Sequence, residues 1–117
     1  MLAAQDARDL EQASSVCLKW AAFCASIRTE FDDVLERLVK RAAERGNREI
    51  CLTKLCTAFI KRFGKYAGKE SLARYRAAST EFQVQCIKRL IGYDGLLVLG
   101  YTLRQDKDGM FLSWRRY

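Results

Sequence analysis

A mainly α chain that closes in a β-hairpin is what the sequence predicts, and three observations carry that prediction. Apolar residues recur at three- and four-residue steps through most of the chain. No proline interrupts any of these stretches. Alternating strand-like runs around Asp108-Gly109 occur only near the end, between residues 101 and 114. With 117 residues, 50% hydrophobic and 30% charged, the chain has material for one packed core and little room for a second.

From the N-terminal side, Leu10, Ala13, Cys17, Trp20, Cys24, Ile27 and Phe31 fall on one stripe of a helix. That stripe suits a helix lying across its own domain's core, and equally a coiled-coil seam for self-association. Thr29 followed by Asp32 resembles a capping box. It predicts a bend near Arg28 and a second helix from about residue 30 to 45, with Phe31, Val34, Leu35, Leu38, Val39 and Ala42 inward and Gly46-Asn47 as its stop. Ile50, Cys51 and Leu52 read as a short extended piece. Thr53 then caps a helix that carries Leu55, Cys56, Phe59, Ile60 and Phe63 inward and ends at Gly64. Lys54, Lys61 and Arg62 occupy its exposed positions, with Lys65 just beyond.

Leu72 with Tyr75 marks a short helical piece. Ser79-Thr80 caps a further helix whose apolar arc is Phe82, Cys86, Ile87, Leu90 and Ile91. Glycines 92 and 95 allow either a break near Tyr93-Asp94-Gly95 or continuation at about 1 kcal/mol per glycine. Continuation to a C-cap at Gly100 is the favoured prediction. Tyr101-Thr102-Leu103-Arg104 and Met110-Phe111-Leu112-Ser113-Trp114 then form two antiparallel strands around a turn at Gln105 to Gly109.

Helix, short strand, helix, helix and hairpin, in that order, define a winged helix-turn-helix with an extra N-terminal helix and a C-terminal β-hairpin wing. The division is therefore an amphipathic helix at residues 1–28, packing on a winged-helix-like domain at residues 29–117.

Several chemistries are excluded by composition. There is no histidine, so His-based nucleophilic catalysis has no base. The five cysteines, Cys17, Cys24, Cys51, Cys56 and Cys86, are odd in number and lack zinc-site spacing, which predicts reduced thiols in an intracellular compartment and no metal. No phosphate-binding glycine pattern is present. Asp32-Asp33 is the one paired carboxylate, and it suits the first turn of a helix better than acid/base work. The expectation is a binding protein without cofactor, not an enzyme. Its apolar runs, such as Leu96 to Leu99, are too short to cross a bilayer, so no membrane role is expected.

Charge is unevenly distributed. Residues 1–39 hold four Lys or Arg against seven acids, net −3, whereas residues 40–117 hold seventeen against seven, net +10. Such a surplus attracts phosphate polyanions, acidic protein surfaces or anionic lipid head groups, and charge alone does not choose among them. Gln85, Lys88 and Arg89 share one arc of the helix that begins at Ser79, at spacing able to meet base edges and phosphates in a major groove. An ordinary solvated face has the same spacing. Arg104 and Lys107 on the wing, Arg115 and Arg116 on the tail, and Lys61, Arg62 and Lys65 complete the candidate DNA-contacting set.

Residues 82 to 114, with Leu96-Leu97-Val98-Leu99-Gly100-Tyr101, then Thr102-Leu103-Arg104 and Leu112-Ser113-Trp114, resemble the C-terminal winged helices of eukaryotic origin recognition complex subunits, subunit three most closely. That resemblance implies duplex DNA and neighbouring subunits of a multiprotein complex as partners, a nuclear location and a role in DNA replication. Two other expectations stand beside it: a protein-interaction winged helix within a larger assembly, and a small basic viral or mobile-element protein.

Overall fold

One helix, α1, runs without a break over Ala4–Glu44, 41 residues. The computed structural model describes residues 3–115, less the side chains of residues 6 and 9–14. The side chains of Leu10 and Ala13 in the N-terminal stripe, and Arg116 and Tyr117 in the tail, thus lie outside the described residues. The chain is mainly helical, 72%, with one three-stranded antiparallel sheet.

The bend expected near Arg28 is absent. Asp32 pairs with Arg28 one turn away, 3.5 Å, rather than folding back on the backbone beside Thr29. The apolar stripe also continues in register through Ile27, Phe31 and Leu35, all buried. Breaking the helix there would split one buried stripe and open several backbone hydrogen bonds. α1 ends where Gly46, φ +81°, allows a Schellman turn: Gly46 N–H donates to Ala43 and Asn47 N–H to Ala42.

Strand β1, Glu49–Cys51, leads into α2, Thr53–Ala67. Two expectations are corrected here. Thr53 does not cap α2; its hydroxyl accepts from the Met110 N–H at 3.0 Å and so ties the helix to the last strand. Gly64 does not end α2 but is buried inside it. A Cβ there would lie 2.5 Å from Leu72 Cδ2, so its missing side chain lets the next helix approach closely.

That helix is α3, Lys69–Ala77, followed by α4, Thr80–Ile91. Ser79 caps α4 as expected, accepting from Phe82 N–H at 3.2 Å. The predicted continuous helix to residue 98 is instead broken at Gly92, which takes a left-handed conformation (φ 65°, ψ 48°), and a separate α5 spans Tyr93–Val98. A Cβ at Gly92 would sit 3.3 Å from the Arg28 guanidinium, so the break coincides with a crowded crossing. Gly100 then closes α5 with a second Schellman turn.

Strands β2, Thr102–Asp106, and β3, Gly109–Ser113, complete the sheet in the order β1-β3-β2. The hairpin turn is shorter than expected. Lys107 and Asp108 form it, Asp106 Oδ1 accepts the Asp108 N–H at 2.8 Å, and Gly109 carries the only positive φ of the turn.

The core lies where α1 crosses α2, α3 and α4. Trp20 stacks on Tyr75, with ring centroids 5.2 Å apart, and meets Phe63 edge-on at 4.9 Å, while Phe31 meets Phe59 at 4.9 Å. Leu52, Leu90, Ile91 and Leu112 close it from β1's end, α4 and β3.

Candidate nucleic-acid interface

Four tethers fix α4 in place and leave its outer arc free. Ser79 holds its start. The Gln83 amide donates to the carbonyls of Tyr75, Arg76 and Ala78 at 3.1 to 3.2 Å, fastening α4 to the end of α3. The Trp20 indole N–H donates to Cys86 O at 2.8 Å from within the core. At the C-terminus, the Arg28 guanidinium donates to Arg89 O and Leu90 O, both at 2.8 Å, where the helix dipole favours a cation. Gln83 and Arg28 were missed by sequence reasoning. The only local signal for Arg28 is Gly92, which announces open carbonyls just before it.

On the outer arc, the structure brings Gln85, Lys88 and Arg89 together, as their spacing predicts. They line a hollow of about 530 Å³ with Gly92, Tyr93 and Gly95, and Asp94 sets one carboxylate at its edge. Lys88 Nζ lies 5.3 Å from the centroid of the Tyr93 ring. Neither Lys88 nor Arg89 forms an ion pair among the described residues.

Other members of the predicted set stand elsewhere, and two are already engaged. Arg62 on α2 donates to both Glu30 oxygens, at 2.6 and 2.9 Å, and lies 4.8 Å from the Phe59 ring centroid. Its guanidinium holds the Glu30 carboxyl below the ordinary range and is itself held above its own. Arg104 on β2 bonds Glu49 at 3.2 Å and also Asp106, and covers the Phe111 ring at 4.4 Å. Its charge is balanced within the sheet. By contrast Lys61 and Lys65 are exposed on α2, Lys107 is exposed at the hairpin turn, and all three are without ion pairs among the described residues. Arg115 and Arg48 line a separate open hollow of about 530 Å³ beside the end of α1.

The elements that carry the two basic sets bond to different flanks of α1. α4 reaches the side of α1 that carries Arg28, whereas Arg62 of α2 reaches the side that carries Glu30. At ~100° per residue those two positions lie roughly 160° apart around the helix. No hydrogen bond or ion pair among the described residues links the α4 arc to Lys61 or Lys65.

One rule covers the ion pairs: every one among the described residues uses an arginine, and none uses a lysine. Lysine charge is consequently left without ion pairing among the described residues, as is that of Arg89. Among the described residues, no helix is long and apolar enough to cross a membrane. No protein-family model, curated protein sequence or solved structure matches the chain.

Proposed function

We propose that this chain is a non-catalytic winged-helix module that binds duplex DNA, with α4 as its groove-facing helix and the β2-β3 hairpin as its wing. The observation that carries the reading is the outer arc of α4. Three side chains able to meet bases or phosphates converge there around an open hollow, on a helix tethered at both ends and leading through α5 into a hairpin. Two features support it. The strand order β1-β3-β2, with β1 between the first and second helices, is the order a winged helix requires. The net charge of +7 supplies the long-range attraction. Arg104 and Arg62 take no part in DNA contact, because carboxylates already hold them.

The likeness to origin recognition complex winged helices supplies the biological setting of the proposal: a nuclear, multi-subunit assembly that loads onto DNA. Anisotropy of a labelled random-sequence duplex tests the molecular core of the reading. Affinity is expected to fall with salt at about −0.9 log units per log unit of salt for each phosphate contacted. The K88E/R89E variant is expected to weaken binding at least about tenfold and to flatten that slope by one to two contacts' worth. Loss of binding in K61E/K65E but not in K88E/R89E moves the interface to α2, and no binding at low salt ends the proposal.

A further inference from the structure

Three thiols come together where α1 packs on α4. Cys17 and Cys24 lie two turns apart on the stripe of α1 that also carries Trp20, and Cys86 is the α4 residue whose carbonyl accepts the Trp20 indole N–H at 2.8 Å. Between the two helices, Cys17 and Cys86 line one small hollow of about 140 Å³ together with Trp20, Phe82, Gln85 and Arg89. The two sulfurs differ in access: Cys17 is exposed, whereas Cys86 is only 6% exposed. No hydrogen bond among the described residues engages either of them. An accessible sulfur that can meet an oxidant, with a second one held behind it, is the arrangement that thiol–disulfide exchange requires. Burial first, and then the neighbouring Cys17 and Cys24 thiols, push Cys86 up to about 12, with Arg89 offsetting part of the push, so Cys86 is not the sulfur that reacts first. The hollow itself is room for the helices to close. A disulfide needs Cα atoms roughly 4.4–6.8 Å apart, which small facing side chains on packed helices allow.

We propose that Cys17 and Cys86 form a reversible disulfide that locks α1 to α4 and draws the outer arc of α4 inward. The oxidant is a low-molecular-weight disulfide, with oxidised glutathione as the probe. The Cys17 thiolate attacks one sulfur of the oxidant, whose S–S bond breaks; one glutathione leaves as its thiol after taking up a proton, and the other stays on Cys17. Cys86 then gives up its proton to solvent and attacks Cys17 Sγ, the mixed disulfide breaks, and the second glutathione leaves. Two electrons pass from the two protein thiols to the oxidant, and two reduced glutathiones are released. Because Cys86 is so seldom ionised, the second step belongs to the scale of hours and is slower than a thiol titration. The effect on α4 rests on the DNA-binding reading. Gln85 and Arg89 line both this hollow and the one on the outer arc, so pulling Cys86 toward α1 retracts them from the groove side.

Long incubation of the full C51S chain with excess oxidised glutathione, followed by unfolding and alkylation, tests the proposal. C51S removes the other exposed thiol, whose sulfur lies apart at 3.5 Å from the Thr53 hydroxyl. Two of the four remaining cysteines should resist alkylation until a reductant is added, and peptide mapping should join residue 17 to residue 86. C17S/C51S, altered only at exposed positions, should keep its helical signal and all of its thiols. C51S/C86A should instead retain glutathione on Cys17, because nothing resolves the mixed disulfide. Oxidation of C51S should raise its urea midpoint, since the crosslink closes a long loop in the unfolded chain. It should also weaken binding to the random-sequence duplex at least about threefold. A C51S chain that keeps all four thiols, or that ends with glutathione on Cys17, overturns the inference, and so does a crosslink that still forms in C17S/C51S through Cys24. Equal duplex affinity of the oxidised and reduced forms overturns the retraction of the arc. The mass and urea readouts need no DNA, so a reduced chain that binds no duplex ends the DNA-binding reading and leaves the disulfide standing.

Discussion

Burial sorts the five thiols into two classes with different chemistry. Cys17 and Cys51 are exposed, while Cys24, Cys56 and Cys86 are buried. Loss of hydration pushes Cys24 up to about 11 and Cys56 and Cys86 up to about 12, and for Cys24 the nearby Arg28 and Arg89 only partly offset that push. An aromatic disulfide reagent at mildly alkaline pH should therefore titrate two thiols in the native protein and the other three only after unfolding. The same shifts set a direction for stability. An acid whose folded-state value is raised contributes fully below its unfolded value, near 9, and that contribution is lost as the pH climbs toward 11 or 12. Unfolding free energies from urea titrations should fall as the pH rises from about 9 toward 11, by at most ~1.4 kcal/mol per pH unit for each buried thiol. A midpoint that stays flat over that range would show the thiols to be hydrated.

Among the elements, α4 depends on a residue far away in sequence. Replacing Arg28 with alanine uncaps the Arg89 and Leu90 carbonyls and is expected to cost about 1–2 kcal/mol, with amide exchange quickening in the last turn of α4 before it does in α2. That dependence also explains what a reader of the sequence could and could not see. The Ser79 cap, the Gly46 stop, the buried arc Cys86-Leu90-Ile91 and the hairpin are all written in neighbouring residues, so periodicity and turn chemistry find them. Gly64 looks like a stop because its partner, Leu72, belongs to another helix. The break at Gly92 was open from sequence, where a cost near 1 kcal/mol is easily outweighed by tertiary contacts. For the candidate site, the shared arc of Gln85, Lys88 and Arg89 follows from spacing alone. Which cations are already spent does not, because Arg62 finds Glu30 across 32 positions and Arg104 finds Glu49 across 55.

Taken whole, the molecule draws every ion pair among the described residues from arginine and none from lysine. Three arginines join one element to another: Arg28 links α1 to α4, Arg62 links α2 to α1, and Arg104 links β2 to β1. Their forked guanidinium heads suit that work, meeting two oxygens at once. No lysine joins an ion pair among the described residues; Lys19 reaches the Ser71 hydroxyl at 3.3 Å and half-buried Lys88 lies over the Tyr93 ring. A consequence follows for covalent chemistry. Acylating reagents neutralise lysine and leave guanidinium groups untouched. The chain has eight lysines and a net charge of +7, so complete acylation takes it from +7 to −1. The helical signal should survive, because every ion pair among the described residues survives, while retention on a phosphate-bearing column should collapse. One small-molecule treatment would thus remove the lysine share of a polyanion-seeking surface, and leave Arg89 in place, on an unaltered scaffold.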